Sequence, residues 1–495
     1  MAKQQVGATP VNDVEKPANT REKALRVNLD ATRYGSFAEI GAGQEVARWF
    51  FRVGAAASTI AKTISAYDMA VSDAIYGQSK RYVSRERLES MLDHEHSLNL
   101  ERLRPSRGET TAFFAFADTV AARNFKGTNE AHGWMGVRYQ AHPLAEDSQL
   151  LLHVRMLDVE NSAQQEALGI VGVNLLYAAC FLDHDPEKML ESLLDNLTTN
   201  RIEIDMAEFS GDRFRHVDNR VMSLKLVQLG LSGAAMFGPD GAVLQPSEVL
   251  RKRAVLVERG SFRPITNVNV DMLNCARAQF AADLGLAHDP ASDHNQEQIV
   301  ELMEITMRHL LVTGFDLNDF LARADMLAAT GKIVLISDYF EYYRLAAWIT
   351  RYTTEPIALT MGIPSLQDIF SEQYYSTLEG GILEAFGRLF TKNLRIYAYP
   401  WRDPATGELS TVHNVAMPAH VAGLYKHIVD NDKIRALENY NPGLMHIFSR
   451  DVLKRIQDGD PTWTTMVPPA IAEVIKKRHF FGHQSAPTVE LPTVS

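Results

Sequence analysis

The sequence predicts an α/β protein with mainly parallel, Rossmann-like sheets, additional helices and a mixed helix and strand N-terminal domain. Short apolar runs of strand length recur along the chain, and from residue 162 onward they alternate with segments of helical periodicity. This order is typical of βαβ units and a parallel sheet. The later runs are continuously apolar, as expected for strands that helices cover on both faces.

Length and composition limit the possible functions. A chain of 495 residues can form two or three domains, and its 46% hydrophobic and 22% charged residues are ordinary for a globular protein. The net charge of -11 argues against general binding of nucleic acid or anionic membranes. The N-terminus is polar, and no later stretch is apolar and uncharged for about 18 residues. We therefore expect a cytoplasmic protein without a membrane or nucleic-acid partner.

Changes in composition divide the chain into five segments. Two are polar and poor in bulky apolar residues, so we predict flexible tails at 1–27 and 481–495. Between them we predict a mixed helix and strand domain at 28–145, an α/β middle region at 146–252 and a larger α/β domain at 253–480.

In the N-terminal domain, apolar residues at helical spacing predict a helix over 37–51. Gly41-Ala42-Gly43 lacks the third glycine and the preceding strand of a dinucleotide-binding fingerprint, so we expect it to mark a helix boundary. Small residues follow it to residue 64 and suit close helix packing, either in a core or in a homo-oligomer. A further helix is predicted over 84–103. Apolar runs of strand length predict strands over 111–119, 133–139 and 149–157.

The alternating part begins after residue 160. Helical periodicity predicts helices over 162–181, 186–197, 219–229, 271–284, 297–312, 317–329, 341–352, 366–389, 419–429 and 471–477. Short apolar runs predict strands over 201–206, 234–237, 253–257, 332–338, 356–361 and 394–399.

One strand end is a candidate phosphate site. The run 255–257 breaks at Gly260 and leads through Pro264 into helical spacing. A glycine turn that delivers a strand to a helix N-terminus directs several backbone N–H groups at one point and favours an anion there.

The stretch Gly260-Ser-Phe-Arg-Pro-Ile-Thr-Asn-Val-Asn269 resembles the first signature of the nucleotidyltransferases that include nicotinate and nicotinamide mononucleotide adenylyltransferases, which reads G-x-F-x-P-x-H-x-G-H. The signature histidines fall on Thr266 and Asn269, and its last glycine falls on Val268. With 37–46 and 63–68, the same stretch is similar to a widespread bacterial family of unsettled function.

The resemblance implies a nucleotidyltransferase-like domain over 253–480 that binds a nucleotide or another phosphorylated small molecule, with ATP and Mg²⁺ as cofactors. The later signature of that family, I-S-S-T-x-I-R, has its best counterpart at Ile447 to Arg450. The phosphate-binding residues it implies are Gly260, Ser261, Phe262, Arg263, Thr266, Asn269, Ser449 and Arg450.

Other polar residues also follow predicted strands, where α/β sheets place their ligands. Asp338 lies at the end of the strand at 332–338 and would hold a ribose hydroxyl or a metal, or cap a helix. The loop after 201–206 is equally consistent with a substrate-anion site and with a salt-bridged loop, and its candidates are Arg213, Arg215, His216 and Arg220.

Two other features receive structural interpretations. His94 and His96 lie two apart on the predicted helix 84–103 and point to different faces, so we expect a solvated face and no metal site. Cys180 and Cys275 lie in apolar helical surroundings, and we expect free thiols.

Three functions remain open from the sequence. The first is nucleotidyl transfer from ATP, for which the missing histidines are unfavourable. The second is a catalytically silent protein that binds nucleotides or assembles with itself. The third is another transferase that uses the same phosphate-binding crevice, and the catalytic residues are not identified for any of the three.

Overall fold

The computed structural model describes residues 18–286, 298–311, 314–391 and 393–484. They form two compact units. The first contains the chain up to Glu203 together with Phe209–His216, and the second contains Ile204–Glu208 and the chain from Val217 onward. The two predicted tails lie largely outside the described residues.

The first part of the chain alternates helices with the strands of one six-stranded sheet. Its elements are α1 (Thr20–Leu29), β1 (Arg33–Gly41), α2 (Val46–Val53), β2 (Ile60–Ile64), α3 (Met69–Tyr76), α4 (Arg85–Arg107), β3 (Ala112–Ala121), β4 (His132–Gln140), β5 (Asp147–Met156), α5 (Asn161–Phe181), α6 (Pro186–Ser192) and β6 (Ile202–Gly211). The strand order is β2-β1-β3-β4-β5-β6, in which β1 pairs in parallel with β2 and β3, while β4 is antiparallel to both β3 and β5.

The second unit is organised around an eight-stranded sheet. Its elements are α7 (Asn219–Gln228), β7 (Ala234–Phe237), β8 (Val243–Leu244), α8 (Pro246–Leu250), β9 (Ala254–Arg259), α9 (Asn267–Asp283), β10 (Ile299–Thr306), α10 (Met307–Leu311), α11 (Leu317–Ala329), β11 (Ile333–Ser337), α12 (Tyr342–Ile349), β12 (Ile357–Gly362), α13 (Ile363–Ile369), α14 (Gly381–Leu389), β13 (Leu394–Tyr399), the short pair β14 (Trp401–Arg402) and β15 (Leu409–Ser410), α15 (Ala419–Asp430), β16 (Ile434–Ala436), α16 (Ser449–Asp458) and α17 (Pro469–Arg478).

The order of this sheet is β16-β13-β12-β9-β10-β11-β7-β8. The six consecutive strands from β16 to β11 in this order run parallel, and β7 and β8 add an antiparallel edge. From β9 the chain proceeds to β10 and β11 on one side, and then crosses to β12 and β13 on the other. The sheet therefore has the Rossmann strand order, with its direction reversed between β9 and β12.

The predicted α/β class and mainly parallel sheets are confirmed. Two apolar cores cover the two faces of the eight-stranded sheet: Leu256 and Ala358 face one core, and Val257 and Leu359 face the other. Burial on both faces explains why these strands read as continuous apolar runs.

The helix predicted over 37–51 is wrong. The chain forms β1, passes through Gly41 and Gly43, and then begins α2. Strand β1 lies between β2 and β3, and its residues from Gly35 to Ile40 are buried. A buried strand that runs into a helix cannot be separated from it by periodicity alone.

Two later helix predictions also fail. The segment predicted as a helix over 297–312 forms β10 followed by α10, and its terminal residues 297 and 312 lie outside the described residues. The helix predicted over 366–389 is interrupted between Phe370 and Gly380, so α13 and α14 are separate. Gly381 has a positive φ of 54° at the start of α14, which favours glycine there.

The expected solvated face at 93–96 is wrong for two of its residues. Glu95 and His96 are buried. Glu95 accepts a hydrogen bond from the Tyr76 hydroxyl at 2.9 Å, and His96 Nε2 lies 2.9 Å from Asp147 Oδ1. Both cysteines are free, as predicted.

A buried acidic pair lies at the carboxyl ends of β1 and β3. Glu39 and Asp118 are directly paired in the sheet register and are nearly inaccessible. Glu39 accepts the backbone N–H groups of Val46 and Ala47, at 2.8 and 3.3 Å, at the start of α2. Both Asp118 carboxylate oxygens lie without a hydrogen-bond partner among the described residues, under Gly43. Burial raises the pKa of Glu39 to about 7 and raises that of Asp118 well above its usual range, where the neighbouring Glu39 adds to the shift.

This pair predicts a pH-dependent stability. A carboxyl group with a raised pKa holds its proton in the folded state after the unfolded chain has released it. The free energy of unfolding of the first unit therefore falls as the pH rises from 4.5 to about 7, by up to about 1.4 kcal/mol per pH unit for each of the two carboxyl groups. Asp118→Asn should flatten this fall and stabilise the protein at alkaline pH, which urea denaturation across this range measures. The exposed Asp212→Asn is the control, and an unchanged slope in Asp118→Asn contradicts the prediction.

Candidate functional site

A crevice of about 660 Å³ lies in the second unit beyond the carboxyl ends of its parallel strands. The turn after β9, the end of β10, the segment after β11, helix α13 and the start of α16 all contribute to it. Open α/β sheets bind ligands at this edge, next to the point where the strand order reverses. The lining of the crevice includes Arg259, Gly260, Ser261, Arg263, Thr306, Arg308, His309, Arg323, Phe340, Glu341, Asp368, Tyr374, Ser449 and Arg450.

Five residues predicted from the sequence meet in this crevice. Gly260, Ser261 and Arg263 come from the turn after β9, and Ser449 and Arg450 come from the start of α16. The Ser449 hydroxyl donates to the Pro264 carbonyl at 3.1 Å, which joins the two segments directly. Residues almost two hundred positions apart in sequence therefore form one surface.

Gly260 has a structural role at the crevice. Its backbone N–H donates to the Glu304 carbonyl at 3.1 Å, so this N–H is not directed at the crevice. A Cβ atom at this position would lie 2.8 Å from the ring of Phe262. The absence of a side chain thus serves the packing of Phe262, which is buried and has a positive φ of 45°.

Thr266 and Asn269, which occupy the positions of the two signature histidines, stabilise the start of α9. Asn269 Oδ1 accepts the backbone N–H and the hydroxyl of Thr266, both at 2.9 Å. Asn269 Nδ2 donates to Glu258 Oε1 at 2.8 Å. Glu258 is completely buried, and burial raises its pKa to about 8, opposed by the bond from Asn269. Thr266 and Asn269 therefore cap a helix and hold a buried acid.

A buried ion pair fixes three strand ends around the crevice. Arg259 donates to both carboxylate oxygens of Glu304, at 2.8 and 2.9 Å, and Glu304 is fully buried. Ser337 donates to the same carboxylate at 2.5 Å. Arg259 also donates to the carbonyls of Tyr339 and Phe340. The ends of β9, β10 and β11 are thus connected by charge-assisted hydrogen bonds.

Two further arginines share one carboxylate. Asp319 accepts Arg263 Nε at 2.5 Å and also pairs with Arg323. Arg323 additionally donates to the carbonyls of Ser261 and His309 at 3.1 and 3.3 Å. Both arginines therefore stiffen the turn, and the single negative charge of Asp319 offsets half of their combined charge.

Arg308 and Arg450 differ from these three arginines. Both are exposed, and within the described chain neither forms an ion pair. The guanidinium of Arg308 lies 4.1 Å from the ring centre of Phe340, which is in edge contact with Tyr374. Arg450 lies in the first turn of α16, and the residue before that helix, Phe448, provides no side-chain cap. Free charge and uncapped N–H groups both favour an anion here.

His309 is neutral at physiological pH. Burial, together with the charges of Arg259, Arg323 and Arg308, lowers its pKa to about 4. Its backbone N–H donates to the Thr306 hydroxyl at 3.3 Å, and its Nδ1 lies without a partner among the described residues. The side chain can therefore offer a ligand a neutral donor or acceptor.

The remaining predicted residues lie elsewhere. Asp338 is exposed and bonds through its backbone N–H to Gly233, outside the described lining of the crevice. Arg213 pairs with Asp183 at 3.2 Å, Arg215 pairs with Glu146 at 2.5 Å, and His216 is exposed. Arg220 belongs to the second unit and pairs with Asp218 and Asp325. The three arginines thus match the salt-bridged alternative.

Sequence reasoning missed Arg308, His309, Arg323 and Phe340. The first two follow β10, which was predicted as part of a helix, so they were not placed at a strand end. The β-branched residues at positions 299, 300, 305 and 306 were the available signal for a strand.

Neither a metal cluster nor a membrane span is found in the described ranges. No three His, Cys, Asp or Glu side chains there are grouped to hold a metal ion. None of the described helices combines the length and apolarity needed to cross a bilayer.

Comparisons with known proteins find only distant similarities. No protein-family model and no curated protein matches the chain. Among solved structures, the competence/damage inducible protein CihA from Agrobacterium tumefaciens is 18% identical over 33% of this chain and 96% of its own, with a TM-score of 0.25. A CinA superfamily protein from Enterobacter cloacae is 13% identical over 35% and 98%, with a TM-score of 0.25. A "putative nicotinate-nucleotide adenylyltransferase" from Vibrio parahaemolyticus is 11% identical over 47% and 97%, with a TM-score of 0.23.

The Arg259 and Glu304 pair predicts a large effect of removing one charge. Glu304→Gln leaves Arg259 buried without a counter-ion, so the free energy of unfolding should fall by about 3 to 5 kcal/mol. Glu384→Gln removes the partner of the exposed Arg388 and should cost less than about 1 kcal/mol. Chemical denaturation compares the two variants. Equal effects would show that the buried pair does not hold the strand ends together.

Proposed function

We propose that the second unit binds a phosphate-bearing nucleotide in this crevice, and that the reaction it supports is nucleotidyl transfer from ATP. The proposal is carried by one observation. Arg308 and Arg450 reach the crevice from distant segments without an ion-pair partner in the described chain, beside the uncapped start of α16. Arginine and helix N–H groups are the donors that proteins commonly use for phosphate.

The lining also suits a planar group. Phe340 and Tyr374 form one wall, with ring centres 4.9 Å apart, and Arg308 stacks against the first ring. Aromatic side chains and guanidinium planes both stack on nucleobases. A ligand with phosphates near Arg450 and a ring near Phe340 would use both halves of the crevice. The chain as a whole is acidic, but the arginines make this crevice locally positive, and the phosphates of the ligand would offset that positive charge.

In nucleotidyl transfer, a phosphate oxygen of one substrate attacks the α-phosphorus of ATP. A new P–O–P bond forms, the bond to the β-phosphate breaks, and pyrophosphate leaves. Catalysis of this kind depends on positioning and on charge stabilisation. Arg308 and Arg450 would stabilise the developing charge, and neutral His309 would hydrogen-bond a ligand oxygen.

Magnesium would supply further charge neutralisation when it is bound with ATP. Glu341 and Asp368 are the lining carboxylates, and Glu341 lies 3.5 Å from Arg344. This donor set fits a Mg²⁺ ion that is held chiefly by the substrate phosphates, because Mg²⁺ commonly uses only one or two carboxylates at such sites.

One observation favours a second candidate, a nucleotide-binding protein without turnover. The positions of the two signature histidines are occupied by Thr266 and Asn269, whose polar atoms are used to cap α9 and to bind Glu258. No imidazole stands at either position to donate to the transferring phosphate. Binding and turnover therefore require separate tests.

The binding prediction concerns the two unpaired arginines. Arg308→Ala and Arg450→Ala should each weaken the binding of ATP by about 1.5 to 3 kcal/mol, the usual contribution of a hydrogen bond to a charged group. Isothermal titration with ATP, nicotinate mononucleotide and their mixture, with and without Mg²⁺, measures the loss. Arg388→Ala is the matched control because its guanidinium is also exposed and pairs with Glu384. Unchanged affinity in both crevice variants would remove the crevice as the nucleotide site.

The turnover prediction is that ATP and nicotinate mononucleotide together release pyrophosphate and form the dinucleotide. Arg450→Ala should lower this rate at saturating substrate if its charge acts more strongly in the transition state. Pyrophosphate release and product chromatography provide the measurement. Saturable binding with no product would support the silent protein instead.

A further inference from the structure

The crevice contains a second group of positive charge, in which two arginines share one carboxylate. Asp319 and Arg323 lie one turn apart on α11 and form an ion pair. The other oxygen of the Asp319 carboxylate accepts Arg263 Nε at 2.5 Å. Two positive charges and one negative charge leave this group with a net positive charge, whereas Arg259 and Glu304 are paired one to one.

The neighbouring acid Asp316 neutralises little of this charge. Its carboxylate is exposed, and it caps the start of α11 by accepting the Asn318 N–H at 2.9 Å. Water strongly screens an exposed charge. Burial, together with the charge of Arg263, lowers the pKa of Arg323, although Asp319 opposes this shift. The two arginines therefore remain short of negative charge.

Arg263 is held in place but keeps donors for a ligand. Asp319 uses only its Nε, and the two terminal nitrogens of Arg263 have no acceptor among the residues that the structure describes. The side chain is 28% exposed and lines the crevice. A guanidinium that is fixed at one end presents its remaining N–H groups in one orientation, which suits an oxyanion.

Two neighbouring groups add to these donors. Ser261 also lines the crevice; its carbonyl accepts Arg323 at 3.1 Å, and its hydroxyl has no partner in the described part of the chain. Arg323 is 2% exposed, and its Nε has no acceptor within the same described ranges. A buried donor of this kind calls for an explanation, and an anion bound beside it would supply one.

We infer that Arg263, oriented by Asp319 and Arg323, binds the phosphate monoester of a second ligand, apart from the site of Arg308 and Arg450. The inference rests on the proposed function for the identity of that ligand, a mononucleotide. Arg263 is tied to α11, whereas Arg450 lies on α16 and Arg308 stacks on Phe340. Two phosphorylated substrates could then be bound at once, as a transfer between them requires.

The donors suit a phosphate monoester better than a carboxylate. A phosphate monoester has three acceptor oxygens and carries between one and two negative charges at neutral pH. The terminal nitrogens of Arg263 and the Ser261 hydroxyl provide several donors for these oxygens, and the excess positive charge of the two arginines offsets the charge of the phosphate. A carboxylate would use fewer of these donors.

The test is isothermal titration of the full chain and of Arg263→Gln with nicotinate mononucleotide, nicotinate riboside and ATP. Arg263→Gln should weaken binding of the mononucleotide by at least about tenfold and change the affinity for ATP by less than about twofold. The riboside lacks the phosphate, so the substitution should not change its binding. Arg308→Ala and Arg450→Ala should weaken ATP binding instead.

Arg277→Gln is the matched control. Arg277 also pairs through its Nε with a carboxylate, that of Glu301, and its side chain is 32% exposed, outside the described lining of the crevice. This variant should bind the mononucleotide like the wild type. Circular dichroism checks that each variant is folded. If Arg263→Gln does not fold, Ser261→Ala decides the test, because loss of the hydroxyl should weaken binding of the mononucleotide by about threefold.

Three results overturn the inference. They are a wild-type protein that does not bind the mononucleotide, an unchanged affinity for it in the folded variant, and an equal loss of mononucleotide and ATP binding, which would indicate one shared phosphate site. The proposed function fails separately. A wild-type protein that binds the mononucleotide through Arg263 but does not bind ATP would support this site and exclude nucleotidyl transfer from ATP.

Discussion

The site in the second unit depends on the ion pair between Arg259 and Glu304. Both groups are buried, and a buried charge is tolerated only when its hydrogen-bonding capacity is satisfied. Here Glu304 accepts hydrogen bonds from Arg259 and Ser337, and Arg259 also donates to backbone carbonyls in the segment after β11. The geometry of three strand ends is therefore over-determined. This rigidity allows Arg308 and Arg450 to keep their charge available at the crevice, because they are not needed to hold it together.

Internal hydrogen bonds also determine which residues of a functional signature are free to contact a ligand. The sequence located the turn at Gly260 correctly, at the edge of the sheet where a ligand would bind. It did not reveal that the Gly260 N–H is bonded to the Glu304 carbonyl or that Asn269 is held by Glu258. These contacts join residues 44 and 11 positions apart, and nothing in a local pattern specifies them. A motif therefore indicated where the chain turns but not which of its polar groups remain free.

The fold was predictable where apolar runs were separated by clear turns, as in β9, β11, β12 and β13. It was not predictable where a strand continues directly into a helix. Strand β10 passes into α10 without a glycine or proline, and it carries two acidic residues, Glu301 and Glu304. Their true partners are Arg277, Lys332 and Arg259, which the fold brings together from other elements. A charged residue within a strand is thus explained only by tertiary pairing, and the crevice residues that follow β10 were missed for this reason.

The groups that cap a helix determine whether its first N–H groups are available to an external anion. In the first unit, the Glu39 carboxylate already occupies the N–H groups at the start of α2. In the second, Thr266 and Asn269 close the start of α9, and the buried acid Glu258 lies directly behind them. An external phosphate at either helix would have to displace an internal carboxylate or approach one closely. Helix α16 begins at the crevice without a side-chain cap and carries Arg450 in its first turn. Of these three helices, α16 is the one that has no side-chain cap in the described chain and carries an arginine in its first turn, and the turn at Gly260 contributes the wall against which α16 is placed.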